Sequence, residues 1–389
     1  GLNFVLAILF ARKLGASSLG QYNIALAITG VISLITNFGT GTVVSRAIAS
    51  NSDKLKTYLG NALAIRIYIS TPLLIIFSAF VSRILGYNFD TFIIIILVAL
   101  YNTFLSSIRL INSTFVSLHK NDIVFKINTA NKTCSLLLAF IILKLGLGLI
   151  EMIIGFIIVS SSFLIYSYYE IRKFENSFRF QLNLKFSKTL IFLSFPLVLA
   201  STAEFINLKI DNIFISYILD EEAVGYYSAS FNIFMALTLI PLGLTQVYFP
   251  NFIEAFKKSR NIAFSLFIKY LKLISIYSIF SGVLVYYLST YIILFTFGQE
   301  FLYSVQLLQI LSLSLSVITI GRLCKYTLLA LKLDRLFFQF TLIGTLANLT
   351  MNYLLIPKVG LYGAIFATII TESIVLILSI MKILQIKTK

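Results

Sequence analysis

Apolar residues run through this chain in long blocks, and polar residues collect in the short gaps between them. The blocks lie at about 1–11, 22–45, 62–82, 91–112, 127–143, 149–169, 189–219, 226–249, 270–297, 303–329, 336–356 and 361–383. A helix needs about 20 apolar residues to cross the hydrocarbon core of a bilayer. The pattern therefore predicts an all-α integral membrane protein of twelve transmembrane helices. The first block is about half of one span, so the first helix is expected to begin upstream of Gly1. Asn37, Gly39 and Gly41 interrupt the second block, and the fifth is short.

Basic residues fix the expected orientation. With the N-terminal side placed in the cytoplasm, 25 of the 31 Lys and Arg residues fall on the even-numbered, cytoplasmic connections and the C-terminal tail. Cytoplasmic loops of membrane proteins carry such an excess. Both termini are then cytoplasmic. The opposite loops are short, and several are acidic, with Asp90, Asp220–Glu222 and Glu300. The longest polar segment, Glu170–Lys188, joins the sixth and seventh spans on the cytoplasmic side.

Two short echoes suggest an internal repeat. Leu14-Gly15 with Leu19-Gly20-Gln21-Tyr22 aligns with Leu219-Asp220 and Val224-Gly225-Tyr226-Tyr227 at an offset of 205 residues. Lys144-Leu145-Gly146-Leu147 aligns with Lys358-Val359-Gly360-Leu361 at an offset of 214. Both pairs fall in equivalent outside loops of two six-span halves. The expected domains are 1–169, a first half with a truncated first helix; 170–188, a basic cytoplasmic linker; and 189–389, the second half. Two parallel six-helix halves, related by a pseudo-two-fold axis along the membrane normal, imply a central cavity and a rocking motion.

Composition agrees and removes several classes. The chain is 59% hydrophobic and 12% charged, where a soluble domain carries roughly 25% charged residues; its mean hydropathy is +0.95. Trp is absent, so the 21 Tyr residues must supply the interfacial belt. A net charge of +16 points to nucleic acid in a soluble protein, but the loop bias accounts for most of it here and no nucleic-acid partner is expected. Two cysteines, Cys134 and Cys324, and the single His119 give neither a disulfide framework nor a metal site. No loop is long enough to fold as a catalytic domain, so the chain reads as a transporter and not an enzyme.

Charges inside the spans mark the candidate chemistry, because each costs about 2.5 kcal/mol or more at the bilayer centre. The 189–219 block contains Pro196, Glu204, Lys209 and Asp211. Glu204 and Asp211 are seven residues apart and share a helix face; Lys209 points about 200° away from Asp211. Glu372 lies midway along the last span. Glu204, Asp211 and Glu372 are the candidates for coupling to H+ or Na+; no cofactor is expected. Pro196 and Pro241 are candidate hinges.

Several of these segments resemble one known family. Ala11-Arg12-Lys13-Leu14-Gly15 with Leu19-Gly20-Gln21-Tyr22 is similar to the first-loop signature of polysaccharide exporters of the Wzx type. These belong to the multidrug/oligosaccharidyl-lipid/polysaccharide flippase superfamily. Asn37-Phe38-Gly39-Thr40-Gly41 followed by Ser45-Arg46 resembles the end of that family's second span. Pro196, Asp211 and Gly225-Tyr226-Tyr227 resemble its seventh span and loop. Phe297-Gly298 with Phe301, and Ile356-Pro357-Lys358-Val359-Gly360-Leu361-Tyr362-Gly363-Ala364, resemble its late outside loops. The resemblance implies translocation of an undecaprenyl-diphosphate-linked oligosaccharide across the bacterial inner (plasma) membrane, for O-antigen, capsule or exopolysaccharide assembly. It implies membrane lipids and the polysaccharide polymerase and chain-length machinery as partners. The relative that flips the peptidoglycan precursor has fourteen spans, against twelve here. A diphosphate cargo needs cations, best supplied by arginine's forked donors. Arg46, Arg66, Lys209, Arg322 and Lys325 are the candidate substrate-binding residues. Two rival readings stay open: a multidrug or cation antiporter of the same superfamily, with a carboxylate-dominated cavity, and a membrane polysaccharide polymerase.

Overall fold

The structure is a computed structural model that describes residues 2–388, apart from the side chains at 2, 3, 196, 197, 199–201, 203, 204, 207, 208, 387 and 388. Among the described residues every regular element is helical. In order they are α1 (Leu2–Thr36), α2 (Thr40–Ser50), α3 (Leu55–Ile65), α4 (Thr71–Ile84), α5 (Phe89–Ser117), α6 (Asn121–Lys144) and α7 (Leu149–Phe174). Then come α8 (Leu184–Ile218), α9 (Glu221–Leu237), α10 (Leu239–Lys258), α11 (Arg260–Thr296), α12 (Tyr303–Ala330), α13 (Asp334–Val359) and α14 (Leu361–Thr388).

Each of the twelve apolar blocks lies within this series, and three local departures explain where the helices differ from them. The first two blocks are joined in α1, broken only at Gly15 (φ 80°, ψ −179°), so the expected loop shrinks to one non-helical residue. The second block then ends at Phe38 and Gly39, whose φ values of 52° and 61° take the left-handed region; α2 resumes beyond them. The third block carries one π-helical turn, Arg66–Ser70, between α3 and α4. Among the described residues, eight helices are long and apolar enough to cross a membrane, and the α9–α10 pair, bent by 41°, makes a ninth. The difference from twelve comes from the merged α1, from α6 with its polar first half, and from α8, part of which lies outside the described side chains.

The α9–α10 bend has a local cause. Pro241 has no N–H to give to the Leu237 carbonyl. That oxygen accepts instead from the Tyr277 hydroxyl at 3.1 Å. Short connections make helix starts depend on side-chain caps. Asn88 accepts from the Thr91 N–H at 2.8 Å and Asp220 from the Ala223 N–H at 2.7 Å.

The interior is where the polar residues go. Thr29, Ser194, Thr245, Thr319 and Thr327 are buried, and each donates its hydroxyl to the carbonyl four residues back. This satisfies the hydroxyl without water. Phe192, Tyr287 and Phe295 are instead exposed at 80%, 74% and 82%, as apolar faces turned to lipid would be. The chain is a multi-pass membrane protein.

Two compact units divide the chain: Gly1–Leu14 with Gln21–Phe205, and Gly15–Gly20 with Ile206–Lys389. The first has a core around Leu59, Leu63, Ile111, Phe115 and Ile171. The connection from α7 to α8 is docked on this core. Phe178 is fully buried in it, and the Tyr168 ring stacks on Phe180 at 5.1 Å. Asn61 Oδ1 accepts from the Asn183 N–H at 2.8 Å and the Ser187 hydroxyl at 3.5 Å. Lys56 pairs with Glu175 at 3.1 Å. The second unit has a core around Tyr248, Phe252, Ile274, Leu323 and Leu328.

Candidate functional site

The second unit holds a buried carboxylate with an ordered shell. Asp211, on α8, is 2% exposed. Its Oδ2 accepts from the Tyr227 hydroxyl at 2.7 Å and the Thr368 hydroxyl at 3.2 Å. Its Oδ1 accepts from Asn352 Nδ2 at 2.7 Å, and the same amide nitrogen donates to Asn348 Oδ1 at 3.1 Å. Four helices, α8, α9, α13 and α14, therefore converge on one carboxyl group. Among the described residues no cation is ion-paired with it. The Asn352 Oδ1 is buried without a hydrogen-bond partner. A carboxylate with the Asn348, Tyr227 and Thr368 oxygens in its shell is a hard-oxygen setting that can take a monovalent cation or a proton.

Beside this shell stands an ion pair. Lys325 Nζ on α12 lies 3.4 Å and 3.3 Å from the two carboxylate oxygens of Glu372 on α14. Sequence reading placed Lys325 with the cargo and Glu372 with the ion; the fold joins them to each other. Arg322, one turn earlier on α12, is half-buried. Lys209 is half-buried and forms no ion pair with a described carboxylate. The side chains of Glu204 and Pro196 lie outside the described residues.

The first unit holds a buried cation. Arg66 opens the π-helical turn and is 7% exposed. Its Nη1 donates to the Ser106 carbonyl, while its Nε is buried with no partner. No described carboxylate pairs with it. The turn is held on both sides: Thr71 donates to the Arg66 carbonyl at 2.7 Å, and Ser70 donates to the Thr36 carbonyl at 2.6 Å, closing the end of α1. Arg109 on α5 lies within electrostatic reach of Arg66 and is exposed. Arg46 on α2 is also exposed. A buried guanidinium with an open donor and a second arginine nearby is a setting suited to an anion.

Asp211 and Arg66 were candidates from sequence; the residues packed around them were not. Asn348 and Asn352 stand four apart in an apolar block, a spacing that puts two amides on one helix face. That signal was available. Tyr227 and Thr368 carry no comparable mark, and Arg109 was absorbed into the cytoplasmic charge count.

With this geometry in place, the comparisons are specific about family. The family described as "Polysaccharide biosynthesis protein" matches residues 1–256, and the chain belongs to it. No curated protein matches the chain in sequence. Among solved structures, the lipid II flippase MurJ in an inward closed conformation is similar with a TM-score of 0.81 at 20% identity, over 98% of this chain and 85% of that one. An inward-facing multidrug resistance MATE family transporter of the MOP superfamily gives 0.77 at 15% identity, over 100% and 95%. A MOP superfamily transporter from Pyrococcus furiosus gives 0.66 at 12% identity, over 100% and 92%. The chain thus has the fold of the MOP superfamily transporters.

Proposed function

We propose that this protein carries an undecaprenyl-diphosphate-linked oligosaccharide from the inner to the outer leaflet of the bacterial plasma membrane by alternating access. Family membership supports a role in polysaccharide assembly, and the likeness to MurJ, a lipid II flippase, supports a lipid-linked cargo. The observation that carries the reading is Arg66, a buried guanidinium that no described carboxylate neutralises. A diphosphate supplies the missing charge, with Arg109 as a cationic neighbour in the same unit. Asp211 is the coupling-cation site, and Glu372 assists it. O-antigen, capsule and exopolysaccharide repeat units are the cargo class; the polymerase that receives them is the expected partner.

The rival is a multidrug or cation antiporter, whose cargo would need no buried arginine. The test is deletion of the gene followed by analysis of lipid-linked repeat units. The proposal expects repeat units to accumulate on the inner leaflet and surface polysaccharide to fall, with rescue by the wild-type chain and not by Arg66→Met. Normal surface polysaccharide in a strain with no redundant exporter would reject it.

A further inference from the structure

The protein beside Glu372 is not solid. A cavity of ≈ 20 Å³ is lined by Lys325, Thr341, Asn348, Thr368, Thr371 and Glu372. That is room for one water or one dehydrated small cation. Two of its walls also belong to the Asp211 shell. Thr368 donates to Asp211 Oδ2, and Asn348 accepts from the amide that holds Asp211 Oδ1. The cavity therefore lies between the Lys325–Glu372 pair and two members of the Asp211 shell, all within the second unit.

The hydroxyls in the lining are chemically one-sided. Thr341 donates its hydroxyl hydrogen to the Phe337 carbonyl at 2.8 Å, and Thr371 donates to the Ala367 carbonyl at 2.9 Å. Thr368 has committed its hydrogen to Asp211. With the protons used elsewhere, these hydroxyls offer only lone pairs to the cavity. These hydroxyl oxygens and the Glu372 carboxylate suit a cation; Gly344 and Val375 complete the wall. The donors in the lining are the Lys325 ammonium and the Asn348 amide nitrogen.

That ammonium is held loosely. Its distances of 3.3 Å and 3.4 Å to Glu372 exceed the 2.7–2.9 Å of a tight charged hydrogen bond. The two side chains retain 21% and 22% exposure, so the pair is not fully enclosed.

We propose that Glu372 is a second cation seat on the route to Asp211, and that Lys325 is its resident, tethered occupant. An incoming monovalent cation displaces the ammonium from Glu372, passes the threonine oxygens and reaches Asp211. While the cation sits at Glu372 the charge there stays balanced and one positive side chain is free; once it moves on to Asp211 the ammonium can return. Entry of the cation is thereby linked to release of Lys325 toward an anionic cargo. The inference rests on the reading of Asp211 as the coupling-cation site. A tethered competitor that fills the seat about nine-tenths of the time raises the apparent dissociation constant of that seat about tenfold.

The experiment is equilibrium binding of radioactive 22Na+ to the purified full-length chain, at constant ionic strength set by N-methylglucamine chloride. The wild type should bind one ion per chain, and Asp211→Asn should bind none. Lys325→Met should bind two, and Lys325→Met combined with Glu372→Gln should return to one. Lys325→Gln is the second variant, with the same expectation, in case the methionine disturbs folding. One ion per chain in both lysine variants, with binding still lost in Asp211→Asn, overturns the second seat and leaves the Asp211 reading intact. Unchanged binding in Asp211→Asn overturns the Asp211 reading and the second seat with it.

Discussion

Gly20 and Gly225, 205 residues apart, occupy reciprocal places in one helix crossing. A Cβ added at Gly20 would collide with the Glu221 carbonyl, and a Cβ added at Gly225 would collide with the Ala16 carbonyl. Ala16 and Glu221 are separated by the same 205 residues. Each segment therefore meets its own counterpart, as a local two-fold relation requires. The two segments of the 205-residue echo thus meet each other in one contact. The crossing is also tied to Glu300, whose Oε1 accepts the Ala16 N–H at 2.7 Å.

Alanine at either glycine should force the two backbones apart. Overpacking of this kind costs about 1–3 kcal/mol, and here the obstacle is backbone. Gly20→Ala and Gly225→Ala should each lower the thermal midpoint in detergent, and the double variant should lose less than the sum because both act on one crossing. Gly243→Ala is the control. No atom lies within 4 Å of its added Cβ, and removing a helical glycine should stabilise by about 0.5–1 kcal/mol.

Asp211 should separate two kinds of loss. Asp211→Ala strands the Tyr227 hydroxyl, the Thr368 hydroxyl and the Asn352 amide. An orphaned buried donor costs about 1–3 kcal/mol, so this variant should be strongly destabilised. Asp211→Asn keeps the shape and much of the bonding, and should lose Na+-dependent transport with a stability change near 1 kcal/mol or less. Equal unfolding midpoints for the two variants would show that the shell does not depend on this carboxyl.

How much of this was readable beforehand follows from what each feature depends on. The helices were legible because a bilayer demands long apolar blocks, whatever the packing. Asp211 and Glu372 were legible because a charge in such a block is costly. The Lys325–Glu372 pair was not, because its partners are 47 residues apart on different helices and only packing joins them. The broken end of the second block was half-visible: Asn37, Gly39 and Gly41 flagged it, but the Ser70 bond to the Thr36 carbonyl is a tertiary fact. The α7–α8 connection looked like a plain basic linker by composition. Its docking depends on Phe178 finding a core that the charge count cannot show.

That docked connection predicts a local, not global, effect. Asn61→Ala removes the acceptor of the Asn183 N–H and the Ser187 hydroxyl. Hydrogen exchange should speed up at Gln181 and Asn183 before the rest of the first unit responds. The outer end has its own pH response. The Ser177 hydroxyl and then the Lys56 ammonium hold the Glu175 carboxyl below the usual carboxylate range. A depressed carboxylate contributes above its unfolded value and is lost as pH falls through the folded one. Protection, corrected for intrinsic exchange, should therefore drop on acidification below that range, and Glu175→Gln should remove the step. A pH-independent strap would contradict this.

Arg66 should show stability and transport moving in opposite directions. A buried charge with no compensating carboxylate destabilises the resting protein. Its one described hydrogen bond, to the Ser106 carbonyl, leaves Nε unsatisfied. Arg66→Met keeps the bulk and removes the charge, so the thermal midpoint should stay level or rise. Transport of a fluorescent polyprenyl-diphosphate oligosaccharide in proteoliposomes should fall at least about tenfold, the loss of one charged contact worth about 1.5–3 kcal/mol. Arg66→Lys should retain part of the transport, since it keeps the charge and loses the fork. Residues retained for function at a cost in stability behave in this way. A lowered midpoint with transport intact would mark Arg66 as a structural group and remove the observation on which the diphosphate cargo rests.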